Sequence, residues 1–433
     1  RGLGDAYKRQ FYDDNASLDV ERFLAGFENP EGIRVVLGEI NDTILANVEL
    51  MVLSPGIPID SNIANAVREH DIPIWSEVEL AYQAAAGHLA AITGTNGKTT
   101  TTSFVGEVFS NYSANSFTVG NIGIPYTEVA LNMNEDSYTV AEVSSFQLET
   151  IVDFKPHVSA ILNVTPDHLD RHYTMENYAS VKLDICRNQK EEDYLVLNYD
   201  DPIAKDMGKD KRIKAQIVYF SRLHSLEDGV CLKDDAIVLR KADEEIRVIG
   251  LSELILLGEH NVENYMAGIA VAYYMGIPLD VIVKTLKTFK GVAHRIEFVK
   301  EVNGVAYYND SKGTNPDAAI KGIQAMNRKT VLIGGGYDKG VGFDEWIKSF
   351  NGKVKKLILI GQTAHMIADT AEKYGFKDIV FADDLKEAVE MCYKIAEPGE
   401  AVLLSPACAS WGMFDNYEQR GDMFKDYVNE LGA

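Results

Sequence analysis

Basic charge is what this 433-residue chain has little of: 42 Lys and Arg stand against 65 Asp and Glu, a formal net charge of −23. A chain so acidic has no reservoir of cations to neutralise phosphates, which argues against nucleic acid and anionic membrane as partners. Cysteine is scarce as well. Cys186, Cys231, Cys392 and Cys408 are scattered without a CxxC pair, which excludes a disulfide framework or structural zinc site and favours a reducing compartment. No stretch approaches the roughly 20 apolar residues of a membrane span. The start, with Arg1, Asp5, Lys8 and Arg9, lacks the apolar core of a secretory signal. Repeats and low-complexity tracts are also missing. The chain is expected to be soluble and intracellular, and any cations gathered in one motif gain weight.

What is present is an ordinary globular composition, 46% hydrophobic and 25% charged. At roughly 150 residues per domain, about three domains are expected. Short aliphatic runs such as Leu89 to Ile92, Val158 to Val164, Thr330 to Ile333 and Ala401 to Leu404 alternate with amphipathic stretches. That alternation predicts α/β units with parallel sheets, whose ligands sit beyond the carboxyl ends of the strands. Boundaries are expected near Gly87 and Gly291, dividing the chain into 1–87, 88–291 and 292–433. Between about Lys205 and Gly250 a charge-rich region punctuated by Asp228-Gly229 and Lys233-Asp234-Asp235 predicts a small set of hairpin strands.

The most informative segment is Leu89-Ala90-Ala91-Ile92-Thr93-Gly94-Thr95-Asn96-Gly97-Lys98-Thr99-Thr100: a strand, a loop with two glycines, then a helix opening on Lys-Thr-Thr. Glycines let backbone N–H groups converge on phosphate oxygens, the helix dipole favours the anion, and Lys98 adds a point charge. Thr99 offers a hydroxyl to magnesium. Ile92 stands where the full phosphate-loop pattern has its first glycine, so the competing reading is a helix cap after a tight turn. Downstream, Tyr138 to Glu142 predicts a strand ending in a carboxylate, followed by a Ser-capped helix. Glu142 is a magnesium candidate, or, read singly, a solvated edge residue. His168, in Thr165-Pro166-Asp167-His168-Leu169-Asp170-Arg171-His172, is a metal candidate or a structural histidine, and Lys182 reads singly as a surface lysine.

The chain resembles the Mur ligases, most closely their D-glutamate-adding branch. The resemblance is carried by Gly94-Thr95-Asn96-Gly97-Lys98-Thr99, Gly120-Asn121-Ile122-Gly123, Glu142-Val143-Ser144-Ser145-Phe146-Gln147 and Asp167-His168-Leu169-Asp170. It continues through Gly258-Glu259-His260-Asn261-Val262-Glu263-Asn264, His294-Arg295-Ile296-Glu297, Asn309-Asp310-Ser311-Lys312-Gly313-Thr314-Asn315 and Ser405-Pro406-Ala407-Cys408-Ala409-Ser410. The early motifs are shared with folylpolyglutamate synthetases; the last two narrow the resemblance to D-glutamate addition.

The resemblance implies three domains: a Rossmann-like N-terminal domain, a central P-loop-type ATPase domain with a parallel sheet, and a Rossmann-like C-terminal domain. It implies ATP-dependent joining of D-glutamate to UDP-N-acetylmuramoyl-L-alanine through an acyl phosphate, in a bacterial cytoplasm, by a monomer. It assigns Gly94, Thr95, Asn96, Gly97, Lys98, Thr99 and Thr100 to the phosphates of ATP, and Asn261 and Asn264 to adenine. Arg295 and Asp310 become nucleotide contacts from the third domain. Two Mg²⁺ ions would be held by Thr99, Glu142, His168 and a carbamylated Lys182, with Lys98, Glu142, His168 and Lys182 catalytic. Asp14, Ser54 and Asn121 fall on the muramoyl-substrate side, Thr314, Lys339, Ser410 and Tyr417 on the D-glutamate side, and His294 and Lys312 are further substrate-binding residues of the third domain, His294 beside the nucleotide contacts.

Two departures accompany it. The opening strand, Gly-rich turn and helix of the family have no recognisable counterpart, so the first domain is expected to be incomplete, with Gly2-x-Gly4 unrelated to that turn. Gly412 stands where an acidic residue is expected and should loosen the loop bearing Ser410. The rival readings are a related ligase with another amino acid or a folate acceptor, and a non-catalytic nucleotide-binding protein. A dinucleotide-dependent oxidoreductase is disfavoured by the lack of a strand leading into G-x-G-x-x-G.

Overall fold

The structure is a computed structural model, and it describes residues 9–27, 29–242, 244–256, 258–338 and 340–432. Gly2 and Gly4 lie outside the described residues, as does Lys339.

A nine-stranded sheet dominates the middle of the chain. Its order is Glu244–Gly250, Ala236–Lys241, Gly229–Lys233, Gln216–Ser221, Tyr194–Asn198, Val158–Ile161, His88–Thr93, Tyr138–Glu142, Ser116–Gly120. The strands from Gly229–Lys233 through Ser116–Gly120 run parallel; the hairpins from Gly229 to Gly250 are antiparallel. The expected hairpin strands form the edge of the same sheet, joined through Phe220–Val230 and Ser221–Cys231 pairing. His88–Thr93 lies inside the sheet, so Leu89 to Thr93 are all buried, as a doubly covered parallel strand requires. One face packs on the helices Lys98–Tyr112, Glu259–Tyr274 and Leu279–Thr288, through Phe104, Val108, Ile269 and Ile282. The other face buries Val119, Ala141, Leu148, Phe154 and Leu195.

The six-stranded sheet has the order Glu297–Val302, Val305–Asn309, Ala401–Leu404, Thr330–Gly334, Val354–Leu359, Ile379–Phe381, with the first strand antiparallel and the rest parallel. Helices cover both faces, giving two further cores around Trp346 and Phe424. The loops after Asn309, Gly334 and Leu404 leave neighbouring central strands at their carboxyl ends, where the chain order reverses. Open α/β sheets bind ligands at such points.

Before Gly87 the sheet is broken. Arg9–Asp13 pairs in parallel with Ile33–Leu37, and Met51–Leu53 pairs in parallel with Ile74–Ser76, as two separate two-stranded sheets. Among the described residues the cluster packed here is small, with Leu45, Val67 and Ile72 at its centre.

Candidate active site

Gly94 (φ 152°) and Gly97 (φ 84°) adopt positive φ between the strand His88–Thr93 and the helix Lys98–Tyr112. At Gly97 a Cβ would fall 2.2 Å from Asn264 Oδ1, so the loop is closed against that amide and only glycine fits. Lys98 Nζ donates to Gly94 O (2.8 Å) and Thr95 O (3.0 Å), folding its ammonium back over the loop. Burial lowers the Lys98 pKa, while Glu142 and Asp167 favour its charge.

Lys182 is not a surface residue. The helix Met175–Leu183 buries it to 1% exposure, and its Nζ donates to the same Gly94 carbonyl at 2.9 Å. Its ammonium also lies 4.4 Å from the Tyr178 ring centroid. Burial, reinforced by the neighbouring Lys98 charge, brings the Lys182 pKa down to about 7.

Glu142 is likewise no solvated edge residue. Its strand lies between His88–Thr93 and Ser116–Gly120, and the side chain is 1% exposed. Asn121 anchors it, with the backbone N–H donating to Glu142 O (2.9 Å) and Nδ2 to Oε1 (2.8 Å). Gly120 permits this approach, since a Cβ there would sit 2.3 Å from Glu142 O. Oε2 is buried and has no hydrogen-bond partner among the described residues. A buried, half-satisfied carboxylate beside a phosphate loop suits a hard divalent cation, with the Thr99 hydroxyl as the second oxygen. An ammonium at Lys182 does not suit one; a carbamate there would.

His168 caps the short helix Leu169–His172 at φ 51°, with its Nε2 3.5 Å from Asp167 Oδ2 and its ring 4.9 Å from that of Phe146. Its side chain is half exposed. Among the described residues no three His, Cys, Asp or Glu gather as a ready-made metal cluster. Glu142 and Lys182 thus converge on the phosphate loop, while His168 sits on the adjoining turn.

The second sheet faces this loop. Lys321 Nζ, on the helix Pro316–Ala325, donates to Asn96 Oδ1 at 2.8 Å. Lys312 lies close enough for Glu142 to favour its charge, and Arg295 for its own charge to act on Lys98. Asn261 and Asn264 are joined side chain to side chain at 3.2 Å and buried. Asp310, by contrast, turns inward. Its Oδ2 accepts from Ser405 Oγ (2.7 Å) and its Oδ1 from Ile296 N (3.3 Å), and burial raises its pKa to about 7. His294 is also inside a network, its backbone N–H donating to Glu297 Oε2 (2.8 Å) and its Nδ1 lying 3.0 Å from Asn309 Nδ2. Both residues brace the backbone around Arg295 and Lys312.

Thr314, Ser410 and Tyr417 come from three segments that converge. Ser311 Oγ donates to Tyr417 O (2.8 Å), and Lys312 Nζ lies 5.7 Å from the Tyr417 ring centroid. Gly412 has φ 82°, and the turn it belongs to is closed by Met413 N and Phe414 N donating to Ser410 O. The glycine therefore tightens this loop rather than loosening it; an aspartate would be strained. Asp14 and Ser54 are exposed residues on the N-terminal segment, the first just beyond the strand Arg9–Asp13 and the second opening the turn Ser54 to Ile57.

Residues 92–272 match the Mur ligase middle domain, and residues 294–408 match the Mur ligase, glutamate ligase domain. Over 396 residues, 91% of this chain, the sequence is 54% identical to a UDP-N-acetylmuramoylalanine–D-glutamate ligase of Thermoanaerobacter sp. (strain X514), covering 87% of that protein. The chain is a Mur ligase. A second relative of that description, from Lachnospira eligens, is 50% identical over 97% of this chain and 93% of its own. In fold, this Mur ligase is similar to MurC of Thermotoga maritima (TM-score 0.59, 21% identity, 92% and 89% of the two chains covered). It is similar also to MurF of Acinetobacter baumannii (TM-score 0.61, 18% identity, 98% and 92% covered).

Three residues of this Mur ligase escaped sequence reasoning. Asn163 clamps the phosphate loop like a peptide unit, accepting from Asn96 N (2.8 Å) and donating to Asn96 O (3.1 Å). Arg420, 1% exposed, donates to Ser311 Oγ (2.9 Å), Ser311 O (2.8 Å) and Cys408 O (3.2 Å), locking two of the motifs together. Arg171 reaches Pro55 O (2.7 Å) and Ile57 O (3.0 Å) while paired with Glu149 at 2.5 Å. The available signal for Asn163 was an amide at a strand end beside the loop; Arg420 and Arg171 gave none.

Proposed function

We infer that this chain joins D-glutamate to UDP-N-acetylmuramoyl-L-alanine with ATP, releasing ADP and phosphate, in the building of peptidoglycan precursors. The observation that carries the reading is the convergence of Lys98, Lys182 and Glu142 on one phosphate loop, in a chain 54% identical to a ligase of that description. A carboxylate is a poor acyl donor. Its oxygen must first attack the outer phosphorus of ATP, breaking the bond to ADP and leaving an acyl phosphate. The amine of D-glutamate then attacks the acyl carbon, loses a proton and expels phosphate. Both steps gather negative charge, which Lys98 meets from the loop and Arg295 and Lys312 from the facing sheet.

Magnesium, when bound, supplies further charge neutralisation at the phosphates, with Thr99 and Glu142 holding one ion and Glu142, His168 and Lys182 a second. For Lys182 this requires a carbamate: its neutral amine adds to CO₂, forms the N–C bond and releases a proton. Support comes from its lowered pKa, which leaves about half the amine neutral near pH 7. Thr314, Ser410 and Tyr417, with Lys339, are assigned to D-glutamate, and Asp14, Ser54 and Asn121 to the muramoyl substrate, with His294 supporting the nucleotide contacts of the third domain from its network. Residues up to 87 would hold the uridine nucleotide, 88–291 ATP and 292–433 the amino acid, a division supported by the two large sheets falling within the latter two. We read the enzyme as a monomer of the bacterial cytoplasm with no nucleic-acid role; its four cysteines are free buried thiols. Among the described residues no helix is long and apolar enough to cross a membrane.

The test is phosphate release with ATP, Mg²⁺, UDP-N-acetylmuramoyl-L-alanine and D-glutamate, each omitted in turn and L-glutamate substituted. Release that needs all four and rejects L-glutamate is expected. Turnover with another amino acid or a folate acceptor instead would overturn the reading.

A further inference from the structure

Lys321 belongs to none of the motifs, yet it makes a direct side-chain contact from the second sheet to the phosphate loop. Its ammonium donates to Asn96 Oδ1 at 2.8 Å across 225 residues of sequence. Among the described residues no carboxylate lies within ion-pair distance of it, although the chain carries 65 Asp and Glu. An exposed lysine in so acidic a protein ordinarily finds an acid; this one is held by an amide of the phosphate loop. Its charge also reaches Lys98, at the end of the same loop, and His260.

Asn96 cannot drift to follow Lys321. Its N–H and C=O are both fixed by the Asn163 side chain, and Asn163 lies two residues beyond the strand Val158–Ile161 beside the loop. The helix Pro316–Ala325 that bears Lys321 begins two residues after Thr314 and four after Lys312, so holding the helix restrains the segment carrying both. Lys312 in turn lies near Glu142 and Arg295.

We propose that Lys321 is a positioning residue: through Asn96 it registers the second sheet on the phosphate loop, so that Arg295 and Lys312 face the transferring phosphate. This rests on the ligase reading above. Its physical basis is that a cation displaced by about 1 Å from a developing charge forfeits much of its effect on rate.

The experiment compares the full-length wild type with Lys321→Ala, Lys321→Arg, Asn96→Ala and the Asn96→Ala/Lys321→Ala double variant. ADP release is resolved into kcat and the KM for each substrate, and amide exchange is followed at residues 94–101 of the ligand-free protein. For Lys321→Ala, kcat should fall about tenfold while the KM values for the muramoyl substrate and D-glutamate stay within about twofold. Lys321→Arg should recover most of the loss, and the double variant should be no slower than Asn96→Ala alone. Exchange at residues 94–101 should quicken in Lys321→Ala and leave the rest of the sheet unchanged. Multiplicative losses in the double variant, no advantage of Arg over Ala, or unchanged exchange would each overturn the proposal. A wild type silent with all four components would instead sink the ligase reading, and the exchange comparison would still decide the role of Lys321.

Discussion

At the scale of single residues, burial sets the chemistry. His172 is fully buried, with its Nε2 2.9 Å from Ser145 Oγ, and burial aided by the Arg171 charge brings its pKa down to about 4. The unfolded chain takes up a proton near pH 6.5 that the folded chain refuses until about pH 4, so stability falls as pH drops through that window. The urea midpoint of the wild type should decline between pH 7 and pH 4.5 by the equivalent of about 2 kcal/mol more than that of His172→Gln. Parallel declines would show that His172 is not the group responsible. Lys182 loses its proton at a much lower pH than an exposed lysine: being neutral in part near pH 7, it is open to CO₂ there. Activity should therefore rise from pH 6 to pH 8 and fall when CO₂ is stripped, and Lys182→Met should be inactive and indifferent to CO₂. Mass spectrometry under gentle conditions that found no added carbamate would remove the assignment.

Elements explain which of these residues were legible beforehand. The phosphate loop declared itself because strand, glycines and Lys98 are contiguous, and the Ser144 cap with Gln147 at its third position is present as a capping box. Glu142 was legible as a strand end, but its burial depended on strands 116–120 and 88–93 flanking it. Lys182 was legible only through the family resemblance, because nothing in a short helix with mixed polarity announces which face meets the loop. Arg420 was invisible for a plainer reason: its main partner, Ser311, is 109 residues away. It pins the segment after Val305–Asn309 to the segment after Ala401–Leu404, and burial lowers its pKa to about 10 without displacing its proton. Arg420→Lys keeps the charge but cannot span three acceptors with one ammonium. It should lower stability by about 2 kcal/mol and raise the KM for D-glutamate more than that for ATP. Equal rises in both would mean that Arg420 supports the sheet as a whole rather than this pair of loops.

Across the whole molecule, the fold class and the three-part division of the sequence rest on long alternating patterns, whereas the joins between parts rest on side chains that no local pattern marks. The N-terminal segment is the clearest case. Its own core is small, and it is tied to the rest by Arg171, whose guanidinium holds the Pro55 and Ile57 carbonyls, pairs with Glu149 and lies 4.2 Å from the Phe146 ring centroid. Tyr173 adds a hydrogen bond to Asp60, and Glu79 accepts from the backbone N–H groups of Val152, Asp153 and Phe154. Phe146 and Glu149 follow directly on Glu142 and its helix, so one arginine connects the turn proposed for the uridine substrate with the end of the strand proposed for magnesium. Arg171→Met removes the donors but keeps an apolar side chain over Phe146. The nine-stranded sheet should survive, with a melting temperature within a few degrees of wild type, because Arg171 lies outside its cores. The KM for the muramoyl substrate should rise about tenfold, since the turn Ser54 to Ile57 loses both anchors, while the affinity for an ATP analogue stays within about twofold. If ATP affinity fell in step, the arginine would be bracing the phosphate-loop side instead, and the assignment of Ser54 to substrate would lose its structural support.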